Sequence, residues 1–465
     1  MLMPKVSAPR GPLYPQPAHF KKGTVYPGGA VQTMEAVMSA KTCTLRGGTT
    51  ALGVSVYKHC LAAGHAAKKI LSPAITSPKI ISWLEGEFPG IVKLMPFVAA
   101  CHDVGKLSPG FQAMIRGMVT TAGGPHDPTY GCLRHEVVTY EHIKYLLGGP
   151  LSKILLYHHG GYRNGDKATS IGIDSGDAWE TMRNSTVNNL AKEFKIDLAT
   201  LSVPTTITPP VWKYLAGLVV VSDWIASDEN CFSPRGYFSK DVKSLASSAL
   251  TKYGFYRRDN SWIPGMTFQE VFEIPFPPNP GQVTMASVVD GPGLYIYEAP
   301  MGIGKTEAAL YPALDLYRKG VVEGVYFAMP TQVTSNRIFT RMETAVTNWF
   351  DRSDAHLLHG SADVFHNPAE DDWFKGNKKA ILDEFGAGTV DQALLGVLPS
   401  VKHFFLRTMG MCHKAVIIDE VHSYDIFTSN LVKALIKDLV DMDCVVIVLT
   451  ATLTADAKKE ILSYV

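Results

Sequence analysis

Apolar residues recur at helical spacing through the first half of the chain. The period is clearest at 55–71, 91–104, 133–147, 151–158 and 211–227, where one face of each stretch is apolar. Polar, glycine-rich stretches at 117–131 and 160–177 separate them. No strong alternation of polar and apolar residues marks a sheet, so residues 51–250 are expected to be mostly α. From residue 293 the texture changes. Short β-rich apolar runs at 293–298, 324–329, 414–418 and 444–449 alternate with helical periods at 306–319, 333–349 and 427–441. Strands alternating with helices imply a parallel sheet with crossover helices. The span 251–292 carries Pro264, Pro275, Pro277, Pro278, Pro280 and Pro292, which predicts a linker or an extended lead-in. Residues 1–50, rich in Pro and Gly, read as irregular.

Length and composition narrow this picture. A chain of 465 residues exceeds one compact core, and about two or three domains are expected. The residues are 46% hydrophobic and 19% charged with a net charge of +1, so bulk charge gives no argument for nucleic acid. Only residues 1–58 are biased, with seven basic side chains against Glu35. That bias fits either a solvated leader or a non-specific phosphate-binding arm. The seven cysteines form no CxxC pair, which argues against a zinc ribbon or a disulfide framework and for reduced thiols in the cytoplasm. No secretory leader is visible, and no apolar run approaches the roughly 20 residues that span a bilayer.

Two motifs in the second half predict an ATP site. Ala299-Pro-Met-Gly-Ile-Gly-Lys-Thr306 follows a predicted strand and opens a predicted helix, the context of a phosphate-binding loop. Gly302 and Gly304 let backbone N–H groups approach phosphate, and the helix start adds positive potential. Lys305 is placed to reach the β- and γ-phosphates, and Thr306 to hold Mg²⁺. Ala299 stands where the generic pattern has its first glycine. In Val416-Ile-Ile-Asp-Glu-Val-His422 an apolar strand delivers two carboxylates at its C-terminal end, where parallel sheets bind ligands. Asp419 is the expected Mg²⁺ partner and Glu420 the group that orients the attacking water.

Asp-Glu-Val-His resembles the DExH box of superfamily-two helicases. Thr450-Ala-Thr452 resembles their motif III, which couples hydrolysis to DNA movement. Pro330-Thr-Gln-Val-Thr334 and Gly388-Thr-Val-Asp-Gln392 are similar to motifs Ia and Ib. The resemblance thus implies DNA-backbone contacts at Thr331, Gln332 and Thr389, and coupling at Thr450 and Thr452. Gln282 resembles the upstream glutamine that reads adenine, although a glutamine in a proline-rich linker is also an ordinary solvated residue. The motifs run to motif III, and Val465 follows soon after. A second lobe with its arginine is expected to be absent, leaving ATP binding without a productive step along DNA.

The first half carries a metal-ligand series. Cys101-His-Asp-Val-Gly-Lys106 ends an apolar helical stretch, so His102 and Asp103 can share a metal, with Lys106 nearby for an anionic substrate. His59 lies in an upstream helix. His135 begins another after a glycine-rich loop, and His158-His159 form an adjacent pair. Asp223 sits in the apolar run Leu218–Ile225, where an unpaired carboxylate is costly; it is either a metal ligand or a buried salt bridge or cap. His65, six residues from His59, points to another helix face and reads as structural.

This ordered series resembles the HD nuclease domain joined to DExH helicases in type I CRISPR systems. The resemblance covers about 50–250 for the HD part and 265–465 for the helicase part. It implies a mostly α HD-type metallohydrolase domain followed by an α/β RecA-like P-loop domain. It also implies one metal on His59, His102, Asp103 and Asp223, and a second on His135, His158 and His159 with Asp103 bridging. Imidazole-rich sites suit Mn, Fe, Co, Ni or Zn better than Mg. The implied substrate is single-stranded DNA, the non-target strand of an R-loop, presented by a guide-RNA surveillance complex. Two other functions remain open: an HD phosphohydrolase acting on nucleotides with a regulatory ATP lobe, and a nucleotide- or DNA-binding fragment without motor activity.

Overall fold

A computed structural model describes residues 38–44, 50–120, 134–160, 177–232, 241–351, 356–358, 380–420 and 426–463. Most of the leader, much of the two glycine-rich loops and His422 lie outside the described residues. Where residues 38–50 were expected to be irregular, Thr42–Thr44 (β1) and Thr50–Leu52 (β2) pair as a short antiparallel ribbon.

The first half is helical. Its helices are Val56–Ile70 (α1), Pro78–Glu87 (α2), Ile91–Ala100 (α3), Pro109–Thr120 (α4), His135–Leu156 (α5), Asp177–Glu193 (α6), Pro209–Ser227 (α7) and Val242–Lys252 (α8). Helix α1 starts where the Ser55 hydroxyl accepts the Lys58 N–H, and ends on Lys68 and Lys69. The serine caps the free N–H groups at the start, and the two lysine charges suit the negative C-terminal end of the helix dipole. The break expected between 147 and 151 is a kink inside α5, at Gly148 (φ 69°) and Pro150. Helix α7 is apolar nearly all round and almost wholly buried, as a central core helix should be. Gly64 lets α1 approach its neighbours: a Cβ there would come within 2.4 Å of the Phe194 ring and 2.8 Å of Ala100.

The second half is a layered α/β unit. Its strands are Gly293–Glu298 (β3), Val325–Met329 (β4), His356–Leu358 (β5), Phe385–Thr389 (β6), Ala415–Ile418 (β7) and Val445–Thr450 (β8). They form one parallel sheet in the order β3-β8-β7-β4-β6-β5. Strands β4, β6, β7 and β8 are buried along their whole length, as expected when helices cover both faces. The helices are Phe268–Phe272 (α9), Pro280–Val288 (α10), Lys305–Arg318 (α11), Gln332–Phe350 (α12), Val390–Leu394 (α13), Phe404–Met411 (α14), Ile426–Val440 (α15) and Ala455–Leu462 (α16).

The expected linker is not structureless. Helices α9 and α10 each begin with a full capping box, Thr267 with Glu270 and Asn279 with Gln282. Pro280 takes the first helical position, where its missing N–H costs nothing. Ile263, Val271, Met285 and Val289 join the core under the sheet.

One apolar core runs through the helical half and into the sheet half. Helix α7 packs on α14, where a Cβ on Gly217 would meet Met409 at 2.9 Å. Polar contacts frame this junction. Lys213 pairs with Asp438, and Lys79 Nζ donates to the Gly320 and Val321 carbonyls, both at 2.9 Å. Among the described residues no helix is long and apolar enough to cross a membrane.

Candidate metal centre and nucleotide site

Three helices and one turn build the first site. The turn after α3 carries His102 and Asp103, α1 supplies His59, α7 supplies Asp223, and α5 supplies His135 at its start and His158-His159 just past its end. All of these come together. Asp103 Oδ2 lies 3.1 Å from His59 Nε2 and 3.2 Å from His102 Nε2. Asp223 Oδ1 lies 3.2 and 3.3 Å from the same two nitrogens. The other oxygen of Asp103, Oδ1, faces His135 Nε2 at 3.2 Å and His158 Nε2 at 3.6 Å, while His135 Nε2 and His159 Nε2 are 2.8 Å apart. The result is two candidate metal groups, His59/His102/Asp103/Asp223 and Asp103/His135/His158/His159, sharing Asp103. His65 instead pairs with Glu193 at 3.1 Å and lies against Phe194 with the rings tilted at 54°.

The donor set suits a cation. His102 Nδ1 sits 2.8 Å from the Ala99 carbonyl and His158 Nδ1 2.6 Å from the Leu155 carbonyl. Each ring therefore donates its Nδ1–H to the backbone and turns its Nε2 inward, the arrangement that orients metal-binding imidazoles. Those two Nε2 atoms and that of His59 are buried without a hydrogen-bond partner, which is costly unless a cation joins them. The charges respond in the same sense. Burial opposes a charge on His102, yet Asp103 and Asp223 outweigh it and raise the imidazole to about 10. Burial also opposes ionisation of Asp103, but His102 and Lys106 hold it well below the usual carboxylate range. Lys106 Nζ lies 2.5 Å from Asp103 Oδ2, so its first partner is the shared carboxylate.

Sequence reasoning missed the buried side chains that hold the turn. The Thr139 hydroxyl accepts the Gly105 N–H at 2.9 Å and donates to the His102 carbonyl at 3.1 Å. The Gln112 amide donates to the Lys106 carbonyl at 2.9 Å, and Arg183 to the Leu107 carbonyl at 2.8 Å. Gly105 is the one legible signal: a Cβ there would meet the His135 carbonyl at 2.0 Å.

The second site lies at the C-terminal edge of the sheet. The loop 299–304 joins β3 to α11 with Gly302 (φ 79°) and Gly304 (φ 85°) in the left-handed region. Thr306 stands in the first turn of α11. Lys305 Nζ donates to the Ala299 carbonyl at 3.2 Å and lies 3.3 Å from Glu420 Oε1. Asp419 and Glu420 follow β7, and Glu420 has φ 54°, the kind of backbone strain that clusters at functional sites. Gln282 is buried. Its amide donates to the Gly304 carbonyl at 3.1 Å and accepts the Asn279 N–H at 2.9 Å. It therefore braces the phosphate loop and is not a solvated linker residue. Thr331 and Thr452 are exposed. Thr389 and Thr450 are buried, with the Thr450 hydroxyl donating to the Thr452 carbonyl at 3.1 Å, so neither side chain is open to a bound strand. Gln332 opens α12; its side chain lies outside the described residues.

Comparison with known families agrees with this division. Residues 40–232 match the family described as Cas3, HD domain, and residues 280–461 match the DEAD/DEAH box helicase family. The chain is a Cas3-type HD domain joined to a DEAD/DEAH-box helicase lobe. It is similar to the CRISPR-associated nuclease/helicase Cas3 of Streptococcus thermophilus, 30% identical over 439 residues covering 80% of this chain and 46% of the relative. It is also similar to the CRISPR-associated endonuclease/helicase Cas3 of Thermus thermophilus, 31% identical over 415 residues covering 78% and 44%. The crystal structure of T. fusca Cas3-ATP superposes with a TM-score of 0.75 at 25% identity, over 92% of this chain and 51% of that one. The Cas3-type chain thus spans about half the length of the relatives it matches.

Proposed function

We propose that this chain cuts single-stranded DNA at a two-metal HD site and couples that site to an ATP-driven helicase motor, in CRISPR interference against invading DNA. The observation that carries this reading is Asp103, which turns one carboxylate oxygen to each of two histidine groups. Two divalent ions, when bound, neutralise phosphodiester charge and acidify water near neutral pH. The protein's own part is positional. Backbone carbonyls fix the rings of His102 and His158, Ser227 donates to Asp223 at 3.2 Å, and Lys106 holds the shared carboxylate beside an anionic substrate. The imidazole-rich donors favour Mn, Fe, Co, Ni or Zn.

In the helicase lobe, Gly302, Gly304, Lys305 and Thr306 cradle ATP phosphates, and Asp419 and Glu420 serve Mg²⁺ and water. Gln282 braces the phosphate loop from α10. Thr331, Gln332, Thr389, Thr450 and Thr452 belong to the DNA-tracking and coupling edge. The DNA would be the non-target strand of an R-loop, delivered by a guide-RNA surveillance complex; the CRISPR-associated names of the relatives support this partner.

The test is cleavage by the purified 465-residue chain across a panel of Mn, Fe, Co, Ni and Zn, with single-stranded DNA, duplex DNA and free nucleotides as substrates and no ATP. Single-stranded DNA is expected to be cut, with Lys305→Ala cutting equally well. Hydrolysis of nucleotides with no attack on DNA would instead mark an HD phosphohydrolase.

A further inference from the structure

The turn His102–Leu107 carries two candidate ligands and Lys106, yet has only one helical turn of its own, Val104–Lys106. Its backbone is held from outside by buried polar side chains on three helices, Gln112 on α4, Thr139 on α5 and Arg183 on α6. Of these, Thr139 differs in kind. It lies one helical turn beyond His135 on the same helix, and residues four apart share a face. Its single hydroxyl accepts the Gly105 N–H and donates to the His102 carbonyl. It therefore ties the helix that presents His135 to the turn that presents Asp103. The approach is close: a Cβ on Gly105 would lie 2.0 Å from the His135 carbonyl and 2.5 Å from the Thr139 nitrogen.

We propose that Thr139 is a positioning residue that sets the register between α5 and the His102–Asp103 turn, and so fixes how the second metal group meets the shared carboxylate. The inference rests on the two-metal reading above. Of the two groups, only the second draws ligands from α5 and the residues just past its end. His135 approaches Asp103 Oδ1 at 3.2 Å from α5, whereas His59 and Asp223 reach the first group from α1 and α7. Loss of the hydroxyl should weaken the second ion and spare the first. No step of the reaction passes through Thr139.

The experiment is Mn²⁺ binding to the full chain, wild type against Thr139→Val and Thr139→Ser. It is read by elemental analysis, by binding isotherms and by the spin–spin coupling of a manganese pair in electron paramagnetic resonance. Val keeps the shape and removes the hydroxyl; Ser keeps the hydroxyl and removes the methyl. Wild type should bind two coupled ions. Thr139→Val should keep one ion at wild-type affinity, bind the second on the order of 10–100-fold more weakly, as loss of an outer-shell partner does, and lose the coupling signal. Thr139→Ser should retain two coupled ions. Equal affinities in Thr139→Val and wild type would overturn the inference, and so would loss of the second ion in Thr139→Ser. The serine result decides even if the valine variant fails to fold. A wild-type chain that binds a single ion would overturn the two-metal reading, and this inference with it.

Discussion

A neutral imidazole whose Nδ1–H is held by a backbone carbonyl has a lone pair to offer on its other side. His102 is in that position, 3.2 Å from one carboxylate oxygen and 3.3 Å from another. In the ion-free chain a proton fills the role of a cation: the two carboxylates overcome burial and raise His102 to about 10. Metal must displace that proton, so affinity should rise about tenfold per pH unit while one proton is released. The folded value lies above the ordinary 6.5. The stability that the charged His102 gives the ion-free fold is therefore complete below about pH 6.5 and lost as pH climbs towards 10. Raising pH thus weakens the empty fold and strengthens loading. The rise in unfolding temperature on adding Mn²⁺ should grow from about pH 6 to pH 9; a shift that stays flat or shrinks over that range would contradict this. At this scale the histidines and aspartates were legible, because a histidine pair and a carboxylate in an apolar run are conspicuous. Thr139 and Gln112 were not, since a buried hydroxyl or amide leaves no mark in sequence until its partner, 34 residues from Thr139 to Gly105, is known.

Among elements, the phosphate loop is braced from behind by α10. Asn279 caps that helix and its amide donates to the Ile303 carbonyl at 2.9 Å, while Gln282 donates to the Gly304 carbonyl. Asn279→Ala removes the cap, at a cost of about 1 kcal/mol, and frees Gln282 from the capping box. It should lower the unfolding temperature by a few degrees and weaken ATP binding, measured with a fluorescent nucleotide, while leaving metal-dependent DNA cleavage intact. Unchanged nucleotide affinity would show that the brace is incidental to the loop. The cap was legible in Asn-Pro-Gly-Gln, but the density of prolines drew the reading towards a linker. Strand β6, Phe-Gly-Ala-Gly-Thr, was missed for a related reason. Glycines mark strand interiors poorly, and its last two residues, Gly388 and Thr389, read more naturally as the start of a DNA-contact motif. Strands β4, β7 and β8 stood out because apolar runs buried on both faces are continuous in sequence.

Across the whole molecule, α7 belongs to both halves. Its Asp223 faces the metal groups, while Lys213 and Gly217 meet Asp438 and Met409 of the helicase lobe. The order of the two units was legible from the switch in hydrophobic period, but their packing was not, because an apolar helix does not announce which neighbours it touches. Net charge was no guide either: the chain is nearly neutral, and its chemistry is concentrated in buried clusters. The account as a whole stands on Asp103 serving both metal groups. The most direct measurement is metal content and single-stranded DNA cleavage in the Mn²⁺-loaded chain and its Asp103→Ala variant, with circular dichroism to show that both are folded. Two ions per wild-type chain are expected, with at most one in the variant and cleavage lost. Two ions and undiminished cleavage in a folded Asp103→Ala chain would contradict it.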